Sequence, residues 1–373
     1  MPFQEKYTIA EINLDHLRYN YHKIRERVAP AKVMAVVKAN AYGHGAIPVA
    51  RCLNDEGVHL FGVARLSEAF ELHEAGIKGE ILIFGGLFPD EMELAVNNGF
   101  ALTITRPDDI ETIQKYAAGS GKPATVHIKV DTGMGRVGLF IQSALSLVKY
   151  ACQQSHLFVE GLYTHFATSD TKDKSYAIQQ LQSFNRLIDD LRAEGIRIPL
   201  IHAANSGAIL DLPEAYFDLV RPGIALYGHF PSTETTASLA LRQVMTLKTH
   251  IAQIRSVPAG CNISYGRRYT TTRVTNIAVL PIGYADGLMR AFTNKGRVLI
   301  RNKTYPLVGT ITMDQTMVDL GDDKFLTGEP VIFWGDTPSG SLQATKVASE
   351  IGTIAYELCC AVSNRVPRIY LNT

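Results

Sequence analysis

From residue 13 to about residue 228 the chain alternates short apolar runs with amphipathic helical stretches, and past residue 238 the period of its apolar residues changes to two. That change of rhythm constrains the fold more than any single motif. Strand candidates in the first part are 33–37, 60–63, 81–84, 102–104, 125–130, 159–163, 200–202 and 218–220. Helical segments such as 65–75, 90–98, 141–153 and 175–194 lie between them, with Gly57, Gly76, Gly99 and Gly195 where a C-cap glycine belongs. Eight strands, each followed by a helix or helical turn, predict a closed (β/α)8 barrel, a TIM-like α/β fold. An open doubly wound sheet is the alternative, but it has no natural use for eight units behind a leading helix.

The hydroxyl-rich stretch 231–238 breaks the pattern. Beyond it, segments 243–254, 277–282, 297–300, 305–308, 317–320 and 330–334 predict antiparallel strands between glycine turns, with one helix over 344–359. The expected organisation is a barrel over 13–238, a mostly β C-terminal domain over 239–373, and a segment 1–12 that packs with the β domain. A length of 373 residues suits two such units.

A net charge of +1 gives no electrostatic footprint for nucleic acid or an anionic membrane. The first residues, Met1-Pro2-Phe3-Gln4-Glu5-Lys6, lack the apolar core of a secretory signal, and no run of roughly eighteen apolar residues occurs. Five cysteines, odd in number and without metal-ligand spacing, fit a reducing cytosol. The expectation is a cytoplasmic enzyme with no metal, no nucleic-acid partner and no membrane span.

In such barrels catalytic groups collect at the C-terminal ends of the strands. The first strand ends on Lys38, within Ala35-Val36-Val37-Lys38-Ala39-Asn40-Ala41-Tyr42-Gly43-His44-Gly45. A lysine at the mouth of a buried strand sits where low dielectric depresses its pKa, so it can hold an aldehyde as a Schiff base. The fifth strand runs into Arg136, the sixth ends at His165, the seventh at Ser206, and the eighth at Arg221-Pro222-Gly223-Ile224. Each alone reads as a solvated or satisfied polar residue. Five at corresponding ends of five strands make a site. Ser206 and Gly223 follow strands seven and eight, the usual phosphate position of this fold, and Tyr42 can reach over from strand one. A phosphate-bearing aldehyde on Lys38 means pyridoxal 5'-phosphate.

The lysine string resembles the cofactor motif of alanine racemases, and the likeness spans essentially the whole chain through 131–138, 164–170, 221–228, 264–267, 283–287 and 313–315. The resemblance implies that Lys38 carries pyridoxal 5'-phosphate and that Tyr42, Ser206, Gly223, Ile224 and Tyr356 hold its phosphate. It implies Arg221 at the pyridine nitrogen, His165 beside the ring, and Arg136 at the cofactor and the substrate carboxylate. Tyr265 would be the second catalytic base, the Met313 N–H a further carboxylate contact, Lys129 a lysine that can be carbamylated, and Tyr284 an entrance residue. Departures occur at 259–264, 288–290 and 310–312, in loops rather than at proposed catalytic groups.

Racemisation needs the Cα proton removed from one face and returned to the other, so Lys38 and Tyr265 suit a two-base reaction between L-alanine and D-alanine. A phenol near its reference pKa of ~10 needs a positive neighbour to act as a base, and His165 backed by Arg221 is the expected source. Arginine holds its proton, so Arg221 should leave the pyridine nitrogen unprotonated and disfavour transamination. The implied role is D-alanine supply for peptidoglycan. Rival readings are a racemase for serine or a broader set of small amino acids, a decarboxylase on the related barrel, and a non-enzymatic pyridoxal-phosphate homeostasis protein. The last should lack the β domain. Because Tyr265 and Met313 lie beyond the linker, the β domain must fold back over its own barrel mouth or cover a partner's. The resemblance implies the second, a head-to-tail homodimer with shared active sites.

Overall fold

The computed structural model describes residues 7–236, 238–338 and 340–373. Residues 1–6 of the predicted N-terminal segment, and Ala237 in the linker, lie outside the described residues.

Eight parallel strand segments form the barrel. The first is Lys32–Val33 with Ala35–Val36, followed by Leu60–Val63, Glu80–Ile83, Ala101–Ile104, Ala124–Asp131, Leu157–Tyr163, Leu200–His202 and Leu219–Val220. Parallel pairing runs in order from the first to the seventh. The eighth pairs back to the first, Leu219 opposite Lys32 and Val220 opposite Val33. It also meets the seventh through Asp218 N–H to the Ile201 carbonyl (3.0 Å) and Arg221 N–H to the Ala204 carbonyl (2.9 Å), which closes the ring. Helices cover the outside, so strands such as Ala101–Ile104 are buried at every position. Inside, Met34, Leu82, Ala101, Leu200 and Leu219 form their own apolar cluster. This cluster packs in the barrel interior beside the buried His127 and His202.

Local sequence sets the helix limits. Pro89 and Pro107 occupy first-turn positions, where a missing N–H costs nothing. Gly195, at φ +77°, stops the long helix Ser175–Ala193 in a conformation other residues avoid.

The C-terminal part is a nine-strand path in the order Gln253–Val257, Thr275–Leu280, Thr316–Gly321, Lys303–Val308, Arg297–Ile300, Pro330–Thr337, Met245–His250, Ile9–Asn13 and Arg368–Leu371. Two of its strands come from the chain ends: Ile9–Asn13 lies antiparallel to Met245–His250 and parallel to Arg368–Leu371. The single strand expected over 243–254 is two. Met245–His250 pairs with Pro330–Thr337, and after Ile251 and Ala252 the chain joins Thr275–Leu280 instead. The single helix expected over 344–359 is also two, Ala344–Ile351 and Ala355–Ala361, because Gly352 at φ +83° ends the first. Among the described residues no helix is long and apolar enough to cross a membrane, and all five cysteines are free.

Candidate active site

Lys38 stands directly after the first strand, and the four residues that follow it, Ala39 to Tyr42, all have left-handed backbone, φ between +51° and +54°. Such a run costs roughly 1–2 kcal/mol per residue and persists only where its surroundings enforce it. Here the Ala39 N–H donates to Glu68 Oε1 (2.7 Å), and the Ala46 N–H donates to Asn40 Oδ1 (2.7 Å). The left-handed turn swings Tyr42 back over the barrel mouth, beside the pocket that Lys38 faces. Burial, then the charge of Arg136, lowers the Lys38 pKa. Lys38 is therefore biased towards the neutral amine that attacks carbonyls.

That pocket has a volume of about 310 Å³ and gathers Lys38, Tyr42, Arg136, His165, Ser206, Arg221, Gly223, Ile224, Tyr356 and Lys129. Among the described residues no carboxylate lines it. At one end Ser206 Oγ accepts the N–H groups of Gly223 (3.0 Å) and Ala225 (3.2 Å). A Cβ on Gly223 would lie 2.3 Å from the Tyr42 hydroxyl, so only glycine lets that phenol approach. Tyr42 and Tyr356 stand with ring centroids 5.9 Å apart, and burial raises both phenols, which keeps them as donors. Hydroxyls and backbone N–H groups around a lined-up cationic pocket fit a small anionic aldehyde bound to Lys38.

Arg221 is buried at the centre. It donates to the Thr164 carbonyl (2.8 Å), the Ala203 carbonyl (3.1 Å) and Nδ1 of His202 (2.9 Å), and its guanidinium lies 5.1 Å over the Tyr163 ring. Burial pulls its pKa down to about 10, which still leaves it cationic at neutral pH. Because His202 accepts at Nδ1, its proton belongs on Nε2, which faces His127 Nδ1 at 2.9 Å. His127 Nε2 in turn donates to Glu160 (3.2 Å). A line of aligned donors thus runs from the pocket through the barrel interior to a carboxylate at its far end. Sequence reasoning missed this line. Its signal was present, since His127 and Lys129 are two apart in one strand and both point inwards.

Lys129 is 5% exposed, and burial, then Arg136 and Arg221, lowers its pKa to about 8. His165 receives a donor from Arg221 at Nδ1 (3.3 Å). Burial, then the charges of Arg221, Lys129, Arg136 and Lys38, pushes its pKa well below the usual value. This corrects the expectation that His165 supplies positive charge: its ring is held neutral, and the cations beside it are Arg221 and Arg136. Arg136 is presented by a loop in which Asp131 Oδ1 accepts the N–H groups of Gly133, Met134 and Gly135 at 2.9, 2.7 and 3.2 Å.

Tyr265, Met313 and Tyr284 do not line the pocket of their own chain. They are 75%, 53% and 43% exposed. The Tyr265 loop is nevertheless built: Thr310 Oγ1 donates to the Tyr265 carbonyl (2.8 Å) and Ser264 Oγ donates to the Thr310 carbonyl (2.7 Å). Thr310, one of the sequence departures, therefore fixes the position of the proposed base. A larger hollow of about 840 Å³ lies in the β domain between His250, Pro281, Asp286 and Arg365, and none of the strand-end groups reaches it.

A family model described as alanine racemase, N-terminal domain, matches residues 12–231, and one described as alanine racemase, C-terminal domain, matches residues 244–370. An alanine racemase of Desulforamulus reducens is 47% identical over 367 residues, covering 97% of this chain and 98% of the relative. The crystal structure of alanine racemase from D-cycloserine-producing Streptomyces lavendulae superposes with a TM-score of 0.94 at 37% identity, over 100% of this chain and 98% of that one. Alanine racemase from Bartonella henselae with covalently bound pyridoxal phosphate gives a TM-score of 0.90 at 31% identity, over 98% and 100% of the two chains.

Proposed function

The chain belongs to the alanine racemase family, and on that premise we propose that it interconverts L-alanine and D-alanine with pyridoxal 5'-phosphate held on Lys38, supplying D-alanine for peptidoglycan. The observation that carries this reading is Lys38 in a pocket of about 310 Å³ that also holds Arg221, Arg136 and the Tyr42–Ser206–Gly223 cradle, with no carboxylate among the described residues that line it. The match of a C-terminal family model over residues 244–370 argues against a lone-barrel homeostasis protein.

The residues divide the work. Tyr42, Ser206, Gly223, Ile224 and Tyr356 would hold the phosphate, and Arg221 would face the pyridine nitrogen. Pyridoxal phosphate supplies the electron sink that makes the Cα proton of alanine removable. Lys38, once free of the cofactor, takes or returns that proton on one face, and Tyr265 of the partner subunit does so on the other. Arg136 and the partner's Met313 N–H bind the substrate carboxylate, which orients the Cα–H bond between the two bases. Arg221 keeps its proton, so it offers the ring nitrogen a donor but no acid. The neutral His165 presents Nε2–H beside it. Lys129, neutral at mildly alkaline pH, can add carbon dioxide, and the resulting carbamate would offset the charge of Arg136. The partner's Tyr284 would narrow the entrance and favour a methyl-sized side chain.

The test combines chemistry with turnover. Borohydride should fix one cofactor on Lys38, located by peptide mass, and the purified chain should convert L-alanine to D-alanine faster than it converts L-serine. Lys38→Ala should abolish both fixation and turnover. Fixation on another lysine, or turnover of serine at the rate of alanine, would overturn the assignment of site or substrate respectively.

A further inference from the structure

His44, His229 and Cys359 meet where the loop after Lys38, the end of the barrel and the helix Ala355–Ala361 come together. All three are buried, at 0%, 1% and 0% exposure. One ring nitrogen from each histidine and the Cys359 sulfur lie within 4.8 Å of one another. None of the three has a part in the proposed reaction. Sequence spacing gave no hint of the group, because its members are drawn from three distant segments.

The hydrogen bonding of the cluster is incomplete. His44 Nδ1 faces the carbonyls of Ala41 and Tyr42, both at 3.0 Å, so it carries the ring proton and leaves Nε2 with a lone pair. That Nε2 has no hydrogen-bond partner, whereas His229 meets the Cys359 sulfur through its Nε2. Buried polar atoms are ordinarily paired, and an orphan imidazole lone pair beside a second imidazole and a thiol calls for a ligand. A backbone carbonyl holding Nδ1–H is also the usual way a ligating histidine is oriented.

We propose that His44, His229 and Cys359 form a buried site for one thiophilic d10 cation, Cu+ or Zn2+. Two imidazoles and a thiolate are the donors that such cations select. With metal–nitrogen and metal–sulfur bonds of about 2.0–2.1 and 2.3 Å, the nitrogen-to-sulfur edge of a tetrahedral site is about 3.6 Å. The observed separation of His229 Nε2 and Cys359 Sγ is 3.6 Å. Both rings are buried, and a neutral imidazole ligates through its lone pair without losing a proton. The Cys359 thiol gives up its proton to solvent as the metal–sulfur bond forms. Charge then orders the two cations. Cu+ with one thiolate is neutral, whereas Zn2+ leaves a net positive charge in a dry site and needs a fourth ligand.

The bound cation would clasp the lysine loop to the C-terminal helix, which already pack closely: a Cβ on Gly43 would lie 2.2 Å from the Cys359 carbonyl oxygen. The full chain, stripped with chelator and supplied with Cu+ under reducing, anaerobic conditions or with Zn2+, should retain one cation per chain, with Cu+ outcompeting Zn2+. X-ray absorption of the wild type should show one sulfur and two imidazole nitrogens around the metal. Cys359→Ser and His229→Leu should lose that equivalent, while Cys360→Ser, which removes an exposed neighbouring thiol, should keep it. Melting temperature should rise with metal for the wild type and Cys360→Ser. Retention of neither cation by the wild type, a metal environment without two nitrogens and one sulfur, or loss on Cys360→Ser with retention in Cys359→Ser would overturn the site. Zn2+ displacing Cu+ would overturn the charge argument.

Discussion

Lys129 shows how a single buried cation can be held in place at a cost to the fold. It is surrounded by Arg136, Arg221 and Lys38, and its pKa is lowered to about 8. In the unfolded chain a lysine titrates near ~10.4. Between those values the unfolded chain binds a proton that the folded chain has lost, so stability rises with pH across about 8 to 10.4. At ~1.4 kcal/mol per pKa unit, the cation costs the folded chain roughly 3 kcal/mol below pH 8. Lys129→Met keeps the length and removes the charge. Denaturant unfolding in carbon-dioxide-free buffer should therefore show the variant more stable at pH 7 and without the alkaline rise. Bicarbonate should stabilise the native chain and leave the variant unmoved. Equal pH slopes for the two proteins would remove the electrostatic account of Lys129 and, with it, the reason to expect a carbamate there.

Among the elements, the left-handed turn Ala39 to Tyr42 is the one that carries the site, and its strain is testable. Ala39→Gly should stabilise the chain by about 1 kcal/mol, because glycine adopts positive φ without a Cβ penalty. Asn40→Ala should cost about 1 kcal/mol by leaving the Ala46 N–H without its 2.7 Å acceptor. Thermal unfolding of both variants checks the pair, and destabilisation by Ala39→Gly would contradict the strain reading. This turn was not legible in the sequence. Ala-Asn-Ala-Tyr has no glycine to announce positive φ, and the conformation is enforced by Glu68 and by Asn40 across space. The barrel strands were legible, since parallel strands buried on both faces leave unbroken apolar runs. The positions of Lys38, His165, Ser206 and Arg221 at their ends followed from the fold alone. Arg368–Leu371 was not found, because every residue in it is half-buried and no alternation marks it. The break at Ile251–Ala252 was hidden for the opposite reason: apolar residues continue through it while the chain changes partners.

For the whole molecule, the decisive fact is that the two proposed bases lie apart in one chain. Lys38 faces the barrel pocket, whereas Tyr265 is 75% exposed and Met313 53% exposed on the β domain. A second copy related by a two-fold axis can present that surface to the first barrel and receive the same in return, so both sites are completed at once. The arrangement predicts complementation. Lys38→Ala and Tyr265→Ala chains are each inactive as homodimers, yet a mixed dimer contains one site with Lys38 from one protomer and Tyr265 from the other. Random pairing makes about half of the dimers mixed, each with one intact site of two, so the mixture should recover about a quarter of the native rate per chain. Recovery should follow subunit exchange in time and disappear on dilution below the dimer dissociation constant. Analytical ultracentrifugation run beside the assay ties the two together. Full racemase activity in a sample shown to be monomeric, or no recovery from a mixture shown to have exchanged subunits, would mean that the β domain closes over its own barrel instead.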